Sequence, residues 1–122
     1  MEGIVIYTNN PDVLVVFPDK VVYAARTVRQ VFIAVRDAVH GGARIGSHPL
    51  SGSIKPWQSP YKSVVLFVGR GKTDFTSVQL IEDALAQLDK NTYALQNFGE
   101  SVLADFRVID LDLMRSAMQS LT

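Results

Sequence analysis

The sequence contains no cysteine, and this absence excludes several classes of protein. Without thiols there is no disulfide scaffold, no thiolate metal site and no cysteine nucleophile. Long apolar runs are also missing, since none reaches the roughly 18 to 20 residues that span a membrane. The first residues are acidic and lead directly into strand-like residues, unlike a signal peptide. We therefore expect a cytoplasmic protein with no membrane contact.

An excess of one charge sign is absent as well, because 12 basic side chains balance 12 acidic ones. Dedicated nucleic-acid binders are strongly basic, so we expect no nucleic-acid partner. Local charge is less even. Residues 26–62 carry six Arg and Lys side chains against a single acid, Asp37, whereas residues 73–122 carry eight acids against three bases. The first of these regions therefore favours an anionic partner.

A length of 122 residues and a hydrophobic content of 48% are typical of one domain with one core. Apolar, β-branched runs predict strands at residues 3–8, 21–24 and 63–68, and residues 103–109 can make another, while residues 13–17 could be either helix or strand. Helices are predicted at residues 27–39, after residue 73 and after residue 110. The second has a capping-box candidate at residues 76–79, and Asp110 is predicted to cap the third. We predict a single α/β domain over residues 1–122, with a mostly parallel sheet covered by helices in a Rossmann-like arrangement. Residues 4–8 and 63–68 should be its central, mutually parallel strands.

The helix at residues 27–39 has the clearest signals, because Thr27 and Gln30 form a capping box and Gly41 with Gly42 can end it. Its apolar stripe is Val28, Val31, Phe32, Val35, Ala38 and Val39. A second stripe comprises Arg26, Arg29, Ile33, Arg36 and His40. This stripe is either an ordinary solvated face or a basic surface that meets a ligand or an acidic partner.

Residues 46–60 have the composition of a loop, with three Pro and four Ser in fifteen positions. So long an irregular segment is more often functional than idle. Its hydroxyls, backbone N–H groups and lysines suit a phosphate or carboxylate. Equally, Ser and Gly can serve only as turn formers, with Trp57 and Tyr61 attaching the loop to the domain.

Ligands of parallel α/β sheets bind beyond the carboxyl ends of the strands, which selects Asn9, Asn10 and residues 69–73. Lys62 would then stand at the far end of its strand, so the loop must fold back to reach this edge. We predict one polar concavity where His48, Ser51 and Ser53 lie near Asn9 and Asn10, with positive charge from Lys55 or Arg44. Asn9 and Asn10 could instead form only an Asx-type turn before Pro11. The candidate ligand-binding residues are Asn9, Asn10, Arg44, His48, Ser51, Gly52, Ser53, Lys55 and Lys62.

Recognised catalytic patterns are lacking. His40 and His48 are the only imidazoles, too few for a convincing metal site even with Asp37 nearby. Gly71, Lys72 and Thr73 match the end of a phosphate-binding loop, but its first glycine would fall on Leu66. We expect no metal and no cofactor, and whether the protein is an enzyme stays open.

Several segments together resemble the GrdX family, small proteins encoded beside the components of glycine, sarcosine and betaine reductases in amino-acid-fermenting anaerobes. They are TNNP at residues 8–11, VRD at 35–37 with HG at 40–41, HPLSGSIKP at 48–56 and PYKS at 60–63. By motif the resemblance covers roughly residues 4–68, and it implies an association with the reductase system without implying a mechanism.

Three hypotheses follow. The first is an accessory or assembly protein that binds a reductase component through the basic helix face and the loop. The second is a module that binds a small anion, such as an acyl phosphate or a carboxylate. The third is a small enzyme that uses His48 with the loop serines and lysines.

Overall fold

The computed structural model describes residues 3–24, 27–52, 54–69, 71–91 and 98–121. The strands are β1 (Ile4–Thr8), β2 (Val21–Tyr23), β3 (Arg44–Ile45) and β4 (Ser63–Phe67). The helices are α1 (Pro11–Val16), α2 (Val28–His40), α3 (Phe75–Lys90) and α4 (Glu100–Leu121), and a single 3-10 turn occupies Pro56–Gln58.

The four strands form one sheet in the order β2-β1-β4-β3. β1 is parallel to β2, but β4 runs antiparallel to both of its neighbours, β1 and β3. β1 and β4 are thus central, as predicted, while the prediction of a mostly parallel sheet is wrong. Apolar residues on both faces of a strand indicate that the strand is buried, but they do not indicate whether it runs parallel or antiparallel to its neighbours. Among the described residues between β3 and β4 there is only a three-residue 3-10 turn and no crossover helix, so β4 returns beside β3 in the opposite direction.

Helices cover both faces of this mixed sheet. Val64 and Leu66 of β4 belong to the core beneath α2 and α3, whereas Val65 belongs with Ile6 to the core beneath α1 and α4. Successive side chains of a strand point to opposite faces, so burial on both sides explains why β4 is apolar at consecutive positions. The α/β class is therefore correct, and the mixed strand order does not establish a Rossmann-like arrangement.

Helix α2 follows its sequence signals closely. The Thr27 hydroxyl accepts a hydrogen bond from the Gln30 N–H, the Gln30 side chain accepts one from the Thr27 N–H, and Gly41 is the C-cap. Val28, Val31, Phe32, Val35 and Val39 are buried. The amphipathic pattern thus sets the rotation of the helix about its own axis.

Three other element predictions need correction. Residues 103–109 are not a strand, because they lie within α4, and Asp110 lies inside that helix rather than at its cap. Residues 13–17, left undecided, belong mostly to the short helix α1. Helix α3 begins before the capping-box candidate at 76–79, since Asp74 is its N-cap and accepts a hydrogen bond from the Ser77 N–H.

Within the part of the chain that the structure describes, no helix has both the length and the apolarity needed to cross a membrane.

Candidate functional site

The antiparallel direction of β4 determines which residues meet at each edge of the sheet. Thr8, the last residue of β1, pairs with Ser63, the first residue of β4. Lys62 therefore arrives beside Asn9 without any folding back of the loop. At the other end of the pair Ile4 faces Phe67, so residues 69 and 71–73 follow the opposite edge, while residue 70 lies outside the described residues. The prediction that they share an edge with Asn9 and Asn10 is wrong, because it assumed parallel strands.

Buried polar side chains gather at the Thr8–Ser63 edge. They are Thr8, Asn9, Asn10, Ser59, Lys62, Ser63 and Asp110, each less than a tenth exposed. We call this group the edge cluster. Burying so many polar groups is unfavourable unless each finds a partner, and among the described residues no fully buried side-chain N or O atom lacks one.

A chain of hydroxyl groups leads from β1 to the carboxylate of Asp110. The Asn10 N–H donates to Thr8 Oγ1 at 2.9 Å, the Thr8 and Ser63 hydroxyl oxygens lie 2.6 Å apart, and Ser63 Oγ donates to Asp110 Oδ2 at 2.6 Å. Ser63 has only one hydroxyl proton, and the hydrogen bond to the Asp110 carboxylate uses it. Thr8 must therefore donate to Ser63, which gives the chain a single direction.

Asp110 is the acceptor on which this network converges. Besides the Ser63 hydroxyl, it accepts the Ser63 N–H at 3.0 Å and the Asn10 side-chain amide at 3.1 Å. Burial raises the pKa of Asp110, against the opposing effect of these hydrogen bonds and of the nearby Lys62 charge. One carboxylate thus joins α4 to the end of β1 and to the start of β4.

Asn9 and Lys62 attach the loop to the same edge. Asn9 Oδ1 accepts the Lys62 N–H at 2.9 Å, and Asn9 Nδ2 donates to the Pro60 carbonyl at 2.8 Å. The Lys62 ammonium donates to the Ser51 carbonyl at 3.1 Å. Burial lowers the pKa of Lys62, and the charge of Asp110 partly offsets that effect. Both ends of the Asn9 side-chain amide thus bond to backbone groups of the loop, so this amide has a structural role.

Asn10 has a second structural role at the start of α1. Its Oδ1 accepts the Asp12 N–H at 3.0 Å, which caps the helix, while its Nδ2 also donates to the Arg107 carbonyl at 2.9 Å. This arrangement is the Asx-type turn that the residues before Pro11 allow.

On the opposite face of the sheet, the loop and α3 enclose an open groove of about 520 Å³. We call it the loop groove. It is lined by His48, Leu50, Lys55, Trp57, Leu80, Asp83, Ala86 and Gln87. His48 is exposed, and its Nδ1 accepts the Leu50 N–H at 3.1 Å. In the neutral imidazole the proton therefore sits on Nε2, the nitrogen not used by this bond.

The nine predicted site residues divide between several places. Asn9, Asn10 and Lys62 lie in the edge cluster, and Ser51 joins them through its carbonyl. His48 and Lys55 line the loop groove instead. Because Asn10 contacts α4 and His48 lies against α3, the two residues face opposite sides of the sheet. The prediction of one concavity shared by His48 and Asn10 is therefore wrong.

Three predicted residues remain. Gly52 has a φ of +94° and packs toward Leu113 of α4, where a Cβ would lie 2.8 Å from a side-chain methyl. Arg44 pairs with Phe67 at the other edge, with its guanidinium 5.1 Å from the centre of that ring, so it supplies no charge to the edge cluster. Ser53 lies outside the described residues.

Sequence reasoning missed Asp110, Thr8 and Ser63 as members of a site. The signal for Asp110 was its position on the inward stripe of α4, four residues before the buried Met114. A single acid on such a stripe indicates a buried carboxylate with partners. Thr8 and Ser63 offered no comparable signal, because their meeting depends on the strand direction.

The basic stripe of α2 has acidic neighbours. Arg29 Nε lies 2.9 Å from Asp89 Oδ1 of α3, and Arg36 lies 3.8 Å from Asp37. Arg26 lies outside the described residues. This face is thus closer to an ordinary solvated surface than to an unbalanced basic one. Among the described residues, no group of three or more His, Asp or Glu side chains could hold a metal ion.

A family model described as GrdX-like protein matches residues 5–119, which is nearly the whole chain. Neither the curated proteins nor the solved structures gave a match.

Proposed function

The chain belongs to the GrdX-like family, and from that membership we propose that it is an accessory or assembly protein of the glycine, sarcosine and betaine reductase system. It binds a protein component of that system in the cytoplasm through the loop groove. The family name supports the association with the reductases, and the groove supports binding.

The observation that carries this proposal is the contrast between occupied and available polar groups. In the edge cluster the donors and acceptors bond to one another, and the opening beside it measures only about 10 Å³. In the loop groove Trp57 is half-buried, while His48 and Asp83 are exposed. Aromatic side chains with a surrounding polar rim are typical anchors of protein interfaces. An open groove of this kind suits a partner's surface better than an enclosed small molecule.

The basic face of α2 gives weaker support, since acidic side chains already neutralise Arg29 and Arg36. We therefore assign binding to the groove and treat the helix face as solvated.

A pull-down tests the proposal directly. Tagged protein is expressed in an anaerobe that ferments glycine, and the recovered proteins are identified by mass spectrometry. We expect a reductase component with the native chain and at least about tenfold less of it with the double variant Trp57→Ala, Lys55→Ala, because losing a central anchor costs about 2 kcal/mol or more.

Two control variants locate the contact. Lys72→Ala changes an exposed lysine at the opposite edge and should leave recovery unchanged. Arg29→Ala tests the helix face and should also leave the recovery of the reductase component unchanged. Recovery that depends on Arg29 and not on Trp57 would place the interface on α2 and contradict the assignment to the groove. The absence of any reductase component from every pull-down would contradict the accessory role.

The alternative function is a small-anion binding module that uses the same groove. Its volume of about 520 Å³ lies within the range of ligand pockets, and Lys55 with the Nε2–H of His48 can bind a phosphate or carboxylate. Calorimetry with acetyl phosphate and with acetate measures this directly. Heat of binding that disappears in Lys55→Ala, together with a pull-down free of reductase components, would favour the alternative.

A further inference from the structure

The edge cluster contains a lysine at the bottom of a small opening between the loop and α4. Lys62 is only 3% exposed. The opening beside it has a volume of about 10 Å³, with Ile54, Phe106, Ile109 and Leu113 as its apolar lining. Asp110, Ser59 and Tyr61 line it together with Lys62. An amine and a carboxyl group thus share one narrow, mostly apolar recess.

From this arrangement we propose that the Lys62 amine is a covalent site for small aldehydes or ketones, which it holds as an imine, with Asp110 moving the proton. The proposal concerns a site on the α4 face and does not depend on the partner at the loop groove. The recess has room for about one water molecule, so only the carbonyl group of the ligand can lie inside it.

The surroundings of Lys62 favour the free amine. The ammonium has a bond to one carbonyl, that of Ser51, at 3.1 Å. Burial is the largest influence on its pKa and lowers it, and the Lys55 charge acts in the same direction. Lysines that form imines in proteins commonly reach their free-base form by this kind of desolvation.

Asp110 is suited to the accompanying proton transfer. Its charge acts on Lys62, so the two groups lie within electrostatic range of each other. Burial raises its pKa, which increases the share of the protonated acid. A buried acid and base whose pKa values shift toward neutrality in one recess are a recognised sign of a reactive site.

The reaction is balanced without an oxidant or reductant. The Lys62 nitrogen lone pair attacks the carbonyl carbon, and one of the two amine protons passes to the carbonyl oxygen by way of Asp110 to give a carbinolamine. The C–O bond then breaks as the hydroxyl leaves with a proton from Asp110, and the nitrogen loses its remaining proton to the Asp110 carboxylate. The products are the imine and one molecule of water.

Reductive trapping in the native protein tests the proposal. The protein is incubated at pH 7 with propanal and sodium cyanoborohydride, and the modified lysines are located by peptide mass spectrometry. We expect Lys62 to carry several-fold more label than the exposed Lys20 and Lys72, because burial lowers the pKa of Lys62 and so leaves a larger share of its amine unprotonated. Equal labelling of all three lysines, or labelling that spares Lys62, overturns the proposal.

Variants test the two roles separately. Lys62→Arg should abolish the preferred label, and Lys90→Arg, a change at an exposed lysine of α3, should leave it in place. Asp110→Asn should move the midpoint of the pH dependence of Lys62 labelling to lower pH, because the carboxylate charge raises the pKa of Lys62. An unchanged midpoint in a folded Asp110→Asn protein, as judged by circular dichroism, contradicts the role of Asp110. If that variant does not fold, the competition among lysines in the native chain still decides whether Lys62 reacts.

Discussion

The two ends of the β1–β4 pair are closed in opposite ways. At the Thr8–Ser63 end, buried polar side chains bond to one another and to Asp110 of α4. At the Ile4–Phe67 end, the turns on either side meet through glycines. A Cβ on Gly69 would lie 1.5 Å from the Gly42 carbonyl oxygen, and a Cβ on Gly42 would lie 2.7 Å from the Gly71 nitrogen.

The difference shows two ways to close the end of a strand pair. Hydrogen-bonded polar side chains close one end, and close backbone contact between glycines closes the other. The glycine contacts at the other end bring backbone against backbone and supply no side-chain donors or acceptors, so we assign them a role in the fold. The polar end holds an ionisable pair and carries the loop, so it can also take part in binding. The following variants test how far these two ends differ, in order of expected effect.

The largest effect should come from Gly69→Ala at the glycine end. Its methyl group would overlap the Gly42 backbone, which cannot move aside as a flexible side chain could. We expect a loss of more than about 4 kcal/mol in the free energy of unfolding, or no folded protein. Denaturant titration measures it, with Gly99→Ala as control because no atom lies within 4 Å of its added Cβ. A mild effect at Gly69 would show that the two turns can separate.

At the polar end, Asp110→Asn should reduce the free energy of unfolding by about 3 to 5 kcal/mol, because two buried donors bond to one carboxylate oxygen and a hydrogen bond to a charged group contributes about 1.5 to 3 kcal/mol. The variant sets an amide donor against those of Asn10 and Ser63. Asp112→Asn, an exposed change on the same helix, should stay within about 0.5 kcal/mol. Equal losses for the two variants would mean that the edge cluster does not hold α4.

A smaller effect is expected where the hydroxyl chain begins. Thr8→Val keeps the shape of the side chain but removes the donor to Ser63 and the acceptor for the Asn10 N–H. We expect a loss of about 1 to 3 kcal/mol. Combined with Ser63→Ala, the two losses should fall short of additivity by at least about 0.5 kcal/mol, since both belong to one chain. Strict additivity in this double-mutant cycle would contradict the directed chain of hydroxyls.

The smallest effect should be at Asp74, the half-buried N-cap of α3 beyond the glycine end. Hydrogen bonds from Ser77 lower its pKa below the ordinary 3.8. The cap therefore stabilises the fold above pH 3.8, and this contribution is lost as the pH falls through the lowered folded-state pKa. The difference in Tm between the native chain and Asp74→Ala should shrink on acidification through this range. A difference independent of pH would show that the carboxylate charge is not what caps the helix.

Local patterns predicted a large part of this fold. The apolar runs located β1, β2 and β4, and the capping box with its apolar stripe located α2, because each signal depends on neighbours a few residues apart. α4 was misread over residues 103–109, where five apolar residues interrupted by Asp105 and Arg107 suit a strand as well as a helix.

The site could be predicted only in pieces. Asn9, Asn10 and Lys62 were selected by residue type and do meet at one edge. The positions of their partners Ser63 and Asp110 depend on the direction of β4 and on the rotation of α4 about its axis. No local pattern determines either of these. The same cause misplaced the turn at residues 69–73 and assigned Arg44 to the wrong edge. Direction is a property of the whole topology, so composition alone could not supply it.

The bond between Asn10 and Asp110 spans 100 positions, and that between Ser63 and Asp110 spans 47. During synthesis β1 therefore leaves the ribosome long before Asp110, whose carboxylate accepts hydrogen bonds at the end of that strand. Until then the Thr8 hydroxyl and the Asn10 amide must stay hydrated, because burying them without acceptors is unfavourable. Closing the polar edge is accordingly a late event, whereas the capping contacts that start α2 join residues only three positions apart. A nascent chain stalled before residue 110 should show a formed α2 and an open β1–β4 edge.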